Sequence, residues 1–131
     1  MVPVTPQSQR AAMTSVQSRV KWLQNATRTA RNYGTGGDGQ VWRALQDLRT
    51  EYTMFTQTLR MQQADYGGNE LAELAAGLDI LQEGIGNYQQ DVASGRLPGR
   101  AMLDMCQLVS KGADMWLQEF NRVCMDLRVG R

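Results

Sequence analysis

The chain has 131 residues, 14 lysines and arginines against 13 aspartates and glutamates, and a formal net charge of +1. That length suffices for a single core without metals or disulfides, and so even a charge balance gives no electrostatic reason to expect nucleic acid as a partner. The absence of histidine removes the commonest general base and metal ligand, and with it Ser-His-Asp catalysis, histidine-held haem and the Glu-x-x-His motif of di-iron bundles.

Apolar residues recur at spacings of three and four in four successive segments, the pattern of helices packed along a seam. The first, expected over about 6–33, runs Met13, Val16, Val20, Leu23, Thr27, Ala30. Thr5 and Pro6 supply an N-cap and an N1 proline for it. Residues 33 to 40 then read YGTGGDGQ. Four glycines so close together raise the question of a phosphate loop. Such a loop joins a strand to a helix and, in its Walker form, ends in Gly-Lys-Ser/Thr. Here the glycines follow a helix, and Gly39 precedes Gln40 and Val41, so the stretch reads as a hinge between helices.

The second segment, over about 39–65 with Asp38 as its cap, runs Val41, Leu45, Leu48, Tyr52, Phe55, Leu59. The third, over about 70–93 behind Asn69, is the most regular: Leu71, Leu74, Leu78, Leu81, Ile85, Tyr88, Val92. The fourth, over about 98–127 and opened by Pro98, runs Met102, Met105, Val109, Ala113, Trp116, Phe120, Val123, Leu127 with a stutter near Val109. Gly34, Gly67 and Gly95 fall where helices should end. Short connections make successive helices antiparallel, which predicts one domain: an all-α, up-down-up-down four-helix bundle.

Charge is distributed unevenly along this plan. Arg10, Arg19, Lys21, Arg28 and Arg31 occupy residues 1–37 with no acidic residue, and Glu70, Glu73, Asp79, Glu83 and Asp91 occupy residues 67–95 with no basic one. In a simple antiparallel bundle the first and third helices lie diagonally, so the molecule would have a basic side and an acidic side. Trp22 falls outside the first seam, beside Lys21 and near Arg19, where an indole is either a partner contact or a cover for the seam edge. These eleven residues are the candidate partner-binding set. The same basic first helix also fits docking onto an anionic membrane or nucleic acid.

Other features have weaker chemistry. Gly77 and Gly84 flank the third seam and make room either for a neighbour's ring, from Trp42 or Trp116, or for a small apolar ligand in the core. Met102, Met105 and Cys106 are soft ligands in type but lie on a seam, where methionine is core filler. Asp79 and Glu83 share a face without a third carboxylate in register and make a poor cation site. Cys106 and Cys124 are five turns apart on one helix, about 27 Å along its axis, so they cannot bond to each other there and read as reduced, partly buried thiols, the alternative being intermolecular pairing or a redox role. Asn25-Ala26-Thr27 matches a glycosylation pattern but lies inside a helix.

In overall plan the chain resembles the cytochrome c′ type of bundle. With no Cys-x-x-Cys-His and no histidine, that family's haem chemistry does not carry over, and no cofactor is expected. No apolar run approaches the length of a membrane span, and Met1 to Met13 has no signal-peptide core. The expectation is a cytoplasmic, non-enzymatic bundle that works by association with a protein partner or with itself.

Overall fold

A computed structural model describes residues 6–33, 38–62, 68–98 and 100–130. Four helices follow in order: α1 (Pro6–Tyr33), α2 (Asp38–Gln62), α3 (Gly68–Ala93) and α4 (Arg100–Asp126). There is no strand among the described residues. The helices form a compact four-helix bundle, with α1 against α2 and α4, and α3 against α2 and α4. Side-chain links fix the directions: Gln17 to Asn121 and Gln24 to Asp114 run α1 against α4, and Trp116 to Leu74 with Arg122 to Glu70 run α4 against α3. Gln46 to Gln82 and Tyr52 to Leu71 run α2 against α3, which leaves α1 and α2 antiparallel as well, tied by Arg19 to Glu51. No α1–α3 contact occurs among the described residues, so those two helices are the diagonal pair.

The seams expected from the sequence form the core. Val16, Val20 and Leu23 of α1, every seam residue of α2 from Val41 to Leu59, Leu71, Leu74, Leu78 and Ile85 of α3, and Met102 to Val123 of α4 are buried in one cluster. Leu81, Tyr88 and Val92 pack against it while half-buried. At its centre Tyr52, Phe55, Trp116 and Phe120 group together, with Phe55 and Phe120 edge to face at 5.0 Å and Trp116 stacked on Phe120 at 5.2 Å. Such ring pairs contribute beyond their buried area. Two of these residues also have polar tips, and both tips are satisfied: the Tyr52 hydroxyl donates to the Leu71 carbonyl, and Trp116 Nε1 donates to the Leu74 carbonyl at 2.8 Å.

The boundaries differ from expectation where three helices begin. The second begins at Asp38, so that residue is the first of the helix rather than a cap ahead of it. The third helix begins at Gly68, so Asn69 is already inside its first turn rather than capping it. The fourth begins at Arg100, with Pro98 just ahead and its carbonyl accepting from the Ala101 N–H at 2.9 Å. The second extends to Gln62, and residues 63–67, including Gly67, lie outside the described residues, as do Thr5 and the 34–37 stretch of the glycine segment. That segment does fall between two helices, from Tyr33 to Asp38.

Two helix ends share one device. After α3, Arg96 N–H donates to the Asp91 carbonyl and Gly95 N–H to the Val92 carbonyl, with Gly95 at φ 80°. After α4, Val129 N–H donates to the Cys124 carbonyl and Arg128 N–H to the Met125 carbonyl, with Arg128 at φ 56°. Both are Schellman caps, which require a left-handed residue at their turn. The second folds residues 127–130 back onto α1. There the buried Gln9 Oε1 accepts from Gly130 N–H at 2.8 Å, and Arg10 donates to the Gly130 carbonyl at 2.6 Å. Val129 is buried beside Cys124 as a result. No periodic signal announces this closure, because it lies beyond the last seam residue.

Candidate interaction surface

The helix arrangement decides how the charges add. α1 has five cations and no carboxylate, and α3 five carboxylates and no cation. α2 has three of each, and α4 has three cations against four carboxylates. The charge difference therefore runs along the α1–α3 diagonal. Taken with its sequence neighbour on each side, the α1–α2 face carries a net +5 and the opposite α3–α4 face a net −6.

The structure uses some of these charges internally. Arg19 of α1 reaches Glu51 of α2 at 3.7 Å, and Arg10 is taken up by Gly130. On α3, Glu70 faces Arg122 of α4 at 3.6 Å, Asp79 pairs with Arg49 of α2, and Asp91 faces Arg96 at 3.8 Å. Lys21, Arg28, Glu73 and Glu83 make no ion pair among the described residues. Arg31 falls in the last turn of α1, and its side chain lies outside the described residues. Arg122 is the hub of the acidic side: it holds Glu119, Asp126 at 2.7 Å and, more loosely, Glu70. The Arg122 guanidinium holds the Glu119 carboxyl below its ordinary range, and these carboxylates push Arg122 higher still. All four groups are solvent-exposed, so this cluster shapes the field more than the stability.

Trp22 stands on the basic face, 65% exposed. It forms a wall between two hollows of the α1–α2 groove. The larger, about 440 Å³, is floored by Ala26 and Ala44 and rimmed by Arg19, Arg43 and Asp47. The smaller includes Thr14, Ser18 and Glu51. The opposite face has a hollow of about 310 Å³ between α3 and α4, floored by Leu74, Gly77, Leu81, Gly112 and Trp116 and rimmed by Glu70, Glu73 and Glu119. Met115 stands beside it, 71% exposed.

The floor of that hollow owes its form to two glycines. A Cβ at Gly77 would stand 3.3 Å from Cδ1 of Trp116, and a Cβ at Gly112 would stand 2.7 Å from a methyl of Leu81. Each helix thus sends one side chain onto a glycine of the other. Trp116 is the ring the sequence suggests for Gly77. Trp42 instead lies over Gly86, 3.2 Å from the place of a Cβ there, and Gly84 is covered by the Met105 methyl. Sequence spacing marked Gly77 and Gly84 but missed Gly112, which sits one residue ahead of the seam position Ala113.

The remaining candidates are placed in packing roles. Met102, Met105 and Cys106 are all buried in the core, and burial pushes the Cys124 thiol up to about 12. No group of three or more His, Cys, Asp or Glu side chains that could hold a metal ion occurs among the described residues. Thr27 is buried, with its hydroxyl donating to the Gln24 carbonyl at 2.7 Å. Gln82, buried in α3, accepts from Arg49 and donates to Gln46 at 2.6 Å, tying α2 to α3 beside the Arg49–Asp79 pair. No helix among the described residues is long and apolar enough to cross a membrane. No protein-family model, curated protein or solved structure matches the chain.

Proposed function

We propose that this bundle is a non-enzymatic interaction protein that associates with a protein partner, a second copy included, through its basic α1 side and its acidic α3 side. The observation that carries this reading is the separation of charge across the diagonal, +5 in α1 against −5 in α3, with Lys21, Arg28, Glu73 and Glu83 left without an internal ion pair among the described residues. Like charges gathered on one helix repel one another, and that cost is offset when a complementary surface arrives. Complementary fields also steer encounter and fix orientation. Trp22 supports the same reading, because an exposed indole beside cations is the residue type that anchors interfaces. The reading of a core ligand near Gly77 and Gly84 has less support, since Trp116 and Met105 occupy the space opposite those glycines.

The test is native mass spectrometry of gently purified, untagged protein at two concentrations, joined to sedimentation velocity at low and high ionic strength. Association, with itself or with a co-purifying chain, that weakens as salt rises is the expected result. A bare monomer under all conditions would remove the reading.

A further inference from the structure

We infer that copies of this chain associate head to tail, Trp22 of one copy entering the Gly77–Gly112 hollow of the next. This rests on the association reading above and names its partner and geometry. The two features face opposite ways. Trp22 stands on the α1–α2 side and the hollow opens on the α3–α4 side. They also lie at one level of the bundle: Gln24 meets Asp114, and Trp116 meets Leu74, so residues 22–24, 114–116 and 74–77 share a height. A neighbour approaching by translation across the bundle brings knob and hollow into register without turning over.

Chemistry agrees with this geometry. The hollow has an apolar floor and a rim of Glu70, Glu73 and Glu119, while Trp22 is flanked by Arg19, Lys21 and Arg43. An indole entering would bury its ring on Leu74, Leu81 and Trp116 and bring its cations to the carboxylate rim. The hollow's volume, about 310 Å³, is at the small end of sites that take organic groups, which suits one aromatic side chain rather than a helix. Met115, proud of the acidic face, meets the Ala26–Ala44 hollow of the opposing basic face in the same approach. Such an interface uses two different patches, so it does not saturate at a dimer. It extends into a row or closes into a ring.

Two variants separate the patches. W22A removes the knob and leaves the hollow, and E73K/M115R disables the hollow rim and leaves the knob; all three positions are exposed, so both variants should fold, which circular dichroism checks. Sedimentation velocity should show wild type passing beyond dimer as concentration rises, and each variant alone weakened about thirtyfold or more, the scale of losing an interface anchor. An equimolar mixture of the two should form a 1:1 heterodimer and stop there, because one intact knob meets one intact hollow. A wild-type assembly that saturates at dimer, or one that W22A leaves unchanged, overturns the head-to-tail geometry while leaving association itself standing. A wild-type monomer at every concentration overturns it too, and co-purification of a different chain would then keep the broader reading alive.

Discussion

Trp116 of α4 lies with its ring edge against Gly77 of α3, where a Cβ would stand 3.3 Å from its Cδ1. The ring has little freedom to yield. Its Nε1 is bonded to the Leu74 carbonyl at 2.8 Å, Phe120 stacks on it, and Tyr52 meets it edge-on at 5.4 Å. Replacing a helical glycine by alanine ordinarily gains about 1 kcal/mol. At Gly77 that gain is opposed by overpacking, typically about 1–3 kcal/mol, so Gly77→Ala should be neutral to destabilising. At Gly84 the nearest atom is the Met105 methyl at 2.9 Å, the end of a flexible chain that can swing aside. Gly84→Ala should therefore stabilise by up to about 1 kcal/mol. Urea unfolding of the two variants checks the opposite ranking.

Stability should fall in alkali and be flat around neutrality. There is no histidine to titrate near pH 7. Burial pushes the Cys124 thiol up to about 12, and burial, helped by the neighbouring thiol, raises the Tyr52 hydroxyl. In the unfolded chain these groups ionise near about 8.5 and 10. Above those values the unfolded state releases protons that the native state retains, so unfolding free energy decreases as pH rises. The contribution is fully present below about pH 8 and is lost on the way to about 12. The urea midpoint should hold steady between about pH 6 and 8 and decline from about pH 9. Cys124→Ala should flatten the first part of that decline and Tyr52→Phe the later part. In the native protein at pH 8 both thiols should react with a thiol reagent only as fast as the bundle opens, since both are buried.

The architecture was legible because seam periodicity and burial are the same physical fact seen twice. Val41, Leu45, Leu48, Tyr52, Phe55 and Leu59 stand three or four residues apart in the chain, and all six are buried. The diagonal placement of α1 and α3 is the outcome short connections favour, but a crossover that sets the two side by side fits the same apolar periodicity. What the sequence concealed are contacts that obey no period. Gln9 and Gln82 are polar and belong to none of the apolar seams, yet both are buried, because each has a specific polar partner that offsets its desolvation. The internal use of Asp79 by Arg49 and of Glu70 by Arg122 depends on which helices are neighbours and on their register. Counting charges along the chain shows the asymmetry but not which charges remain to meet a partner.

The paired helix caps offer a direct comparison of residue types in one conformation. Gly95 and Arg128 occupy the same Schellman position, at φ 80° and 56°. Glycine adopts that region freely, whereas a residue with a Cβ is disfavoured there by roughly 1 kcal/mol or more. Arg128 is exposed, so its side chain gives little in return. Arg128→Gly should stabilise the protein by about 0.5–1 kcal/mol, and Gly95→Ala should destabilise it by about 1 kcal/mol, each read from denaturant midpoints at unchanged slope.

The carboxylates of α3 should differ in what they do for association. Asp79 is held by Arg49, and Glu70 already faces Arg122, so their charges are partly compensated before any partner arrives. Glu73 and Glu83 both lack an ion pair among the described residues, but only Glu73 borders the Gly77–Gly112 hollow; Glu83 lies with Trp42 and Gly86 on the α2–α3 side. Removing a charge at a contact changes affinity directly, whereas removing one at a distance acts only through the screened field. Glu73→Gln should therefore weaken association more than Glu83→Gln, and Asp79→Asn least of the three. At about 0.5 M salt, where the screening length falls to a few ångströms, the Glu83→Gln effect should vanish and part of the Glu73→Gln effect should survive. Sedimentation velocity of the three variants at low and high salt gives the order, and equal effects at all three positions would mean that the acidic helix acts as a diffuse field and not through its hollow.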